Sequence, residues 1–259
     1  MKIIGIIPAR MASSRFPGKP LAKIRGIPMV GHVYLRSKMA KVLDDVYVAT
    51  CDEEIKEYTE SIGGKAIMTS DKHERASDRA AEALLKIEKE IGQRVDIVVM
   101  IQGDEPMVVP EMLDLAVQPM LGDERVLVVN LMAPIRMPKE YEDPNEVKVV
   151  VDNDNHALYF SREPIPSSKK GATEIPMLKQ VCIIPFRRDF LFRFSQLEPT
   201  PLEKIESVDM LRAIEHGYKV KMVLASFETY SVDTPEDLRF VEERMKNDPL
   251  VMKYLRARE

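Results

Sequence analysis

The chain has 259 residues, 45% of them hydrophobic and 31% charged, the size and balance of one large globular domain with room for a small extra lobe. Its 38 basic and 42 acidic residues are mixed along the chain and leave a net charge of -4, which argues against the clustered positive charge of a nucleic-acid-binding surface. No apolar run approaches the roughly 18 to 20 residues that span a bilayer.

From the N-terminus, residues 2–7 form an almost continuous apolar run, the pattern of a strand buried on both faces. The chain enters this strand at once, with no basic leader, apolar stretch or cleavage site, so a cytoplasmic address is expected. Residues 28–39 read as a helix and 46–49 as a second strand. Asp52 is expected to cap a helix running to Ile62, which Gly63 and Gly64 terminate. A short strand at 66–68 precedes a helix at 77–91, where Ala80, Leu84, Ile87 and Ile91 recur at helical spacing and Gly92 follows the end. Next come a strand at 95–101, a helix at 110–121 opened by a proline, and a strand at 126–131. Strands separated by helices imply right-handed crossovers and a parallel sheet covered on both faces.

The pattern changes after about Pro138. Runs at 147–151 and 157–160 flank the polar Asp152-Asn153-Asp154-Asn155 and read as a hairpin. Residues 164–176, rich in Pro, Ser, Lys and Gly, read as a loop that is mobile or touches a partner. A strand at 181–185, one long helix at 201–217 and a strand at 219–225 follow. Thr234 caps a helix at 234–246 with Pro235 at its first position, and the last dozen residues form a short helix. The organisation expected is one domain over 1–259, with about 139–200 as a small lobe. Cys51 and Cys182 make no disulfide framework and are expected to be buried, reduced thiols.

Three loops carry candidate chemistry. The loop over residues 7–21 holds Arg10, Arg15 and Lys19 directly after the first strand, where open α/β sheets bind ligands. It is neither a dinucleotide-binding GxGxxG nor a Walker loop, because it has one glycine and the wrong spacing. Three cations there suit a triphosphate carrying about four negative charges, and small residues allow a backbone to approach a ligand. Gln102-Gly103-Asp104-Glu105-Pro106 also ends a buried strand, and a carboxylate there can hold Mg²⁺, which prefers oxygen ligands. A turn or capping aspartate is the alternative. Asp233 precedes a helix whose cap Thr234 supplies, so its carboxylate is available elsewhere, although the motif alone does not separate a ligand from a cap.

In order and spacing, five segments resemble the CMP-Kdo synthetases, the 3-deoxy-manno-octulosonate cytidylyltransferases. They are IIPAR…SSRFPGKPL, QGDEP, VKVVVDNDNHALYFSREPIP at 147–166, TPLEKIE at 200–206 and VDTPEDL at 232–238, and together they span nearly the whole chain. The resemblance implies an α/β, GT-A and Rossmann-like nucleotidyltransferase with a mostly parallel central sheet and a hairpin-containing dimerisation lobe. It also implies CTP as donor, an acidic sugar as acceptor, Mg²⁺ and a homodimer. Carried over by position, Arg10, Arg15 and Lys19 bind phosphate, with Pro8, Ala9 and Asp104 beside them. Lys19, Arg15 and Asp104 form the catalytic set, and Asp104 and Asp233 the metal pair. Ser77 and Arg79 line the nucleotide and sugar pocket, while Gln102, Glu203 and Glu206 face the acceptor.

Three segments depart from the family pattern. Arg75-Ala76 stands where the family shows Ser-Gly. Residues 180–186 lack the family's histidine, glycines and first aromatic, with Pro185 at a glycine position, and Asp209-Met210 replaces Glu-Gln. These changes cluster where the sugar should be read, and Arg75 can pair with an acceptor carboxylate, phosphonate or phosphate. The acceptor expected is Kdo or a related 3-deoxy-2-ulosonic acid destined for lipopolysaccharide or capsule. A phosphonate or phosphorylated metabolite is the alternative. Lys19 and Asp104, whose loss would mark a catalytically silent nucleotide-binding protein, are both present.

Overall fold

All six residues of β1 (Ile3–Pro8) are buried, as a β-branched run covered on both faces requires. A two-residue ribbon follows, β2 (Lys23–Ile24) against β3 (Ile27–Pro28), and then helix α1 (Met29–Ser37). β4 (Asp45–Thr50), α2 (Glu53–Ser61), β5 (Ala66–Met68), α3 (Ala76–Ile91) and β6 (Ile97–Ile101) continue the alternation, and α4 (Pro110–Gly122) leads onward. The strands lie in the order β6-β1-β4-β5, all parallel, as the strand–helix alternation predicts.

This computed structural model describes residues 1–12, 15–169, 171 and 175–256, which form two compact units. One comprises Met1–Asp114 with Glu228–Glu259, the other Leu115–Phe227. The second unit contains β7 (Val129–Pro134), α5 (Pro138–Glu142), β8 (Lys148–Val151), β9 (Ala157–Ser161), β10 (Leu178–Val181) and β11 (Ile183–Arg187). Helices α6 (Arg188–Gln196), α7 (Pro201–Glu206) and α8 (Met210–Glu215) and strand β12 (Lys221–Leu224) complete it. Its sheet runs β12-β7-β10-β8-β9, with only the β12–β7 pair parallel. The expected hairpin around 152–155 is the β8–β9 pair.

Three expectations for this unit change. The strand placed at 181–185 is two strands interrupted at Cys182, and α6 was not anticipated. The single helix at 201–217 is two helices, because Ser207 adopts φ 52 and breaks the run. The expected loop at 164–176 falls partly on residues 170 and 172–174, which lie outside those described, as do Ser13 and Ser14 of the first loop. Neither Cys51 nor Cys182 is in a disulfide, and both are half-buried rather than buried. No helix among the described residues is long and apolar enough to cross a membrane.

The chain returns to the first unit with α9 (Pro235–Arg244) and α10 (Pro249–Arg256). Both helices pack on the residues just past the first loop: Ile24, Ile27 and Met29 share one apolar cluster with Val232, Val241, Met245, Val251 and Tyr254. Inside it His32 is fully buried, with Nε2 2.7 Å from the Ile24 carbonyl oxygen and Nδ1 2.6 Å from the Tyr254 hydroxyl. A carbonyl only accepts, so Nε2 carries the hydrogen and Nδ1 accepts from Tyr254. Burial holds the imidazole pKa down to about 4 from its ordinary 6.5; Arg36 adds to this, and Asp248 opposes it. The unfolded chain takes up this proton near pH 6.5, so the neutral ring's contribution is complete above that pH and is lost as pH falls toward 4. The loss should be on the order of 3 kcal/mol. Urea unfolding at pH 7.5 and 5 is expected to show a steeper loss in the wild type than in His32→Gln. Equal losses would refute the assignment.

Candidate active site

Two strand ends of the first unit and the segment before α9 supply the cations and carboxylates. The cationic loop leaves β1, Gln102–Asp104 follows β6, and the segment before α9 returns to them through the bond from Val232 N–H to Asp104 O, 2.9 Å. Gly103 suits this close approach, since a Cβ would lie 3.0 Å from the Pro8 carbonyl oxygen, a tight contact, and 3.6 Å from Ala9 Cβ. Pro8 and Ala9 are therefore packed against the Gln102–Asp104 turn, and Ala9 N–H donates to Ala49 O at 2.9 Å. Glu105 is 4% exposed and accepts from Thr229 Oγ1 at 2.7 Å, which ties the same turn down from beneath.

On this frame Lys19 Nζ donates to Asp104 Oδ2 at 2.8 Å and to Asp233 Oδ1 at 3.1 Å. Arg15 Nη2 donates to the same Asp233 oxygen at 3.0 Å. Residues separated by more than two hundred positions in sequence thus meet at one point. Asp233 is available because Thr234 and Asp237 form a reciprocal capping box at the start of α9, as expected for Thr234. Burial alone would lower the Lys19 pKa, but the charges and hydrogen bonds of Asp104 and Asp233 outweigh it and raise it above 10.5. Lys19 is consequently a full cation at neutral pH.

The donor set also suits a divalent ion. Two carboxylates close enough to share one ammonium offer oxygen ligands to a common point, the donor type that Mg²⁺ prefers.

The expected pocket segment behaves differently. Arg79 is only 2% exposed, and its guanidinium donates to Thr69 Oγ1 at 2.5 Å, Ser70 O at 3.3 Å and His73 O at 3.4 Å. It organises the 69–73 turn, so its guanidinium, expected at the nucleotide, is engaged within the protein. Its neighbour Ser77 is fully buried with no partner for Oγ among the described residues, and so keeps an unused donor. Arg75 is half-buried at the N-cap of α3, without a side-chain cap bond. His73 is held by Glu82, 2.5 Å from Nε2, and its carbonyl accepts from exposed Arg10 at 3.4 Å. Gln102 is half-buried at the end of β6.

In the second unit, Glu203 and Glu206 are both engaged within the protein. Glu203 is 3% exposed and takes a two-pronged contact from buried Arg212, 2.8 Å from Nε and 2.6 Å from Nη2, while serving the capping box of α7. Glu206 accepts from Tyr159 O–H and Ser161 Oγ, both at 3.1 Å, and from Arg162 N–H at 2.8 Å. Both carboxylates, expected to face the acceptor, are partnered by groups of their own unit.

Sequence reasoning gave Asp52 only a capping role and Glu105 none of its own. Asp52 stands at the N-cap of α2 but makes no capping bond, and its Oδ2 accepts instead from Met11 N–H at 2.8 Å. Its place at the end of the buried strand β4, beside the cationic loop's strand, was the available signal.

A protein-family model described as Cytidylyltransferase matches residues 4–225. The 3-deoxy-manno-octulosonate cytidylyltransferase of Geobacter metallireducens is 42% identical over 255 residues, covering 95% of this chain and 98% of the relative. That of Syntrophobacter fumaroxidans is 45% identical over 242 residues, covering 93% and 96%. The mitochondrial enzyme of Arabidopsis thaliana with the same name is 41% identical over 247 residues, covering 95% and 83%. A solved structure of a CMP:2-keto-3-deoxy-manno-octonic acid synthetase complexed with CTP matches with a TM-score of 0.86 at 39% identity, over 95% of this chain and 98% of that one.

Proposed function

Because this chain belongs to the cytidylyltransferase family, CTP-dependent nucleotidyltransferases of α/β fold, we propose that it couples CMP from CTP to the sugar acid 3-deoxy-manno-octulosonate (Kdo) and releases pyrophosphate. The observation that supports this most directly is the meeting of Arg15, Lys19, Asp104 and Asp233 beyond the ends of β1 and β6 and before α9.

In the reaction the sugar's anomeric hydroxyl attacks the α-phosphorus of CTP. A new P–O bond forms as the bond to the bridging oxygen breaks, pyrophosphate leaves with the electron pair, and the hydroxyl proton passes to solvent. Negative charge builds on the phosphoryl oxygens and the leaving group, so positioned cations supply most of the acceleration. Lys19 and Arg15 are assigned to the departing pyrophosphate, and Arg10, exposed at the loop's start, to the remaining phosphate charge. Asp104 and Asp233 are assigned to Mg²⁺, which when bound supplies Lewis-acid charge at the phosphoryl oxygens. The unused Ser77 hydroxyl is assigned to the nucleotide, and Arg75 and Gln102 to the acceptor's carboxylate end. The reading extends to a cytoplasmic homodimer whose product feeds lipopolysaccharide or capsule assembly.

Pyrophosphate release with CTP, Mg²⁺ and a panel of Kdo, other ulosonic acids and simple phosphonates tests it. Release with Kdo is expected, with EDTA stopping it and Mg²⁺ restoring it. Silence with Kdo but release with a phosphonate would overturn the acceptor, and EDTA-insensitive release would remove the metal from the reading. Light scattering after size exclusion checks the dimer.

A further inference from the structure

Asp52 occupies the N-cap of α2, where an aspartate ordinarily accepts from the free donors of the first turn and contributes about 1 kcal/mol. Its side chain makes no such bond. The turn at the end of β4 is shaped by Asp52 N–H donating to Thr50 Oγ1 at 3.1 Å. From that turn Oδ2 reaches across 41 positions to accept from Met11 N–H at 2.8 Å, with the Cys51 thiol donating to it at 3.6 Å.

Met11 is the junction of the cationic loop. It follows Arg10 directly, and its carbonyl accepts from Gly18 N–H at 3.1 Å, one residue before Lys19. Gly18 itself has φ 74, a left-handed conformation that glycine adopts without strain. The two backbone groups of one residue therefore connect Asp52 to the turn presenting Lys19.

We propose that Asp52 is a positioning residue of the triphosphate loop: by accepting the Met11 N–H it sets the spacing between Arg10 and Lys19, and through it the affinity for CTP. The proposal rests on reading that loop as the triphosphate site. Charge works in the opposite direction, which makes the role separable. An aspartate beside a polyanion repels it, so removing the charge alone should tighten CTP binding. Weaker binding on loss of the side chain can come only from lost geometry.

The test is CTP affinity by titration calorimetry in Mg²⁺, with kcat and KM for CTP, on the wild type, Asp52→Asn, Asp52→Ala and Lys19→Ala. Asp52→Ala is expected to weaken CTP binding about 10-fold, since small misplacements of a binding group are costly. Asp52→Asn keeps an acceptor oxygen for Met11 N–H and loses the repelling charge, so it is expected to bind CTP at least as tightly as the wild type. Wild-type affinity in Asp52→Ala, or an Asn variant as weak as the Ala variant, would overturn the proposal. If Lys19→Ala loses CTP while Asp52→Ala retains it, only the positioning role fails. If Lys19→Ala also binds like the wild type, the loop is not the triphosphate site and both readings fall.

Discussion

Lys19→Ala is expected to lower kcat by at least about 10²-fold while the protein remains folded. The side chain contacts both Asp104 and Asp233, and its raised pKa keeps it charged throughout the neutral range. Positioned against a leaving pyrophosphate, that charge acts where water is partly displaced and counts for more than it would in bulk solvent. The fold should survive because Lys19, Asp104 and Asp233 are partly exposed, so solvent can screen the carboxylates that lose their shared cation. Asp104→Asn should lower kcat comparably, but with a distinct signature: the Mg²⁺ concentration needed for half-maximal rate should rise. Steady-state kinetics over a Mg²⁺ series, with circular dichroism as the control for folding, separates the two variants. Near-wild-type turnover in either would remove that residue from the catalytic set.

Glu203→Gln is expected to have the largest effect on stability, a loss of about 3–5 kcal/mol. Arg212 is 1% exposed, and its guanidinium is satisfied by both oxygens of Glu203, by the Phe194 carbonyl at 3.2 Å and by the Phe194 ring at 4.8 Å. Removing the carboxylate charge leaves a buried cation without its counter-ion, and the capping box of α7 is weakened in the same step. A glutamate facing the acceptor would behave differently, raising KM for the sugar acid at unchanged stability. Urea unfolding together with acceptor KM on the folded enzyme distinguishes the two. A variant of wild-type stability with a raised KM would restore Glu203 to the acceptor site and overturn its structural role.

The first unit was largely legible in the sequence because its strands are buried on both faces and write themselves as unbroken apolar runs, as in residues 3–8 and 97–101. Local punctuation was equally direct: Gly92 closes α3 in the left-handed region, and Thr234 caps α9. The second unit was less legible. One residue of positive φ at Ser207 divides what reads as a continuous helical stretch, and a single break at Cys182 converts one apolar run into two strands. Neither event leaves a glycine or proline at the break to announce it.

For the site, residue type and position at the ends of buried strands were enough to nominate Arg10, Arg15, Lys19 and Asp104, whereas Asp233 was nominated by the family resemblance of its motif. Only the tertiary structure decided how polar side chains were partnered. It committed Arg79 to Thr69 and Ser70, Glu203 to Arg212 and Asp52 to Met11, and it brought Asp233 to Lys19 across 214 positions. The physical reason is that apolar burial is periodic and local, and so is written along the chain. A hydrogen bond or ion pair depends instead on which distant group the folded backbone places within about 3 Å.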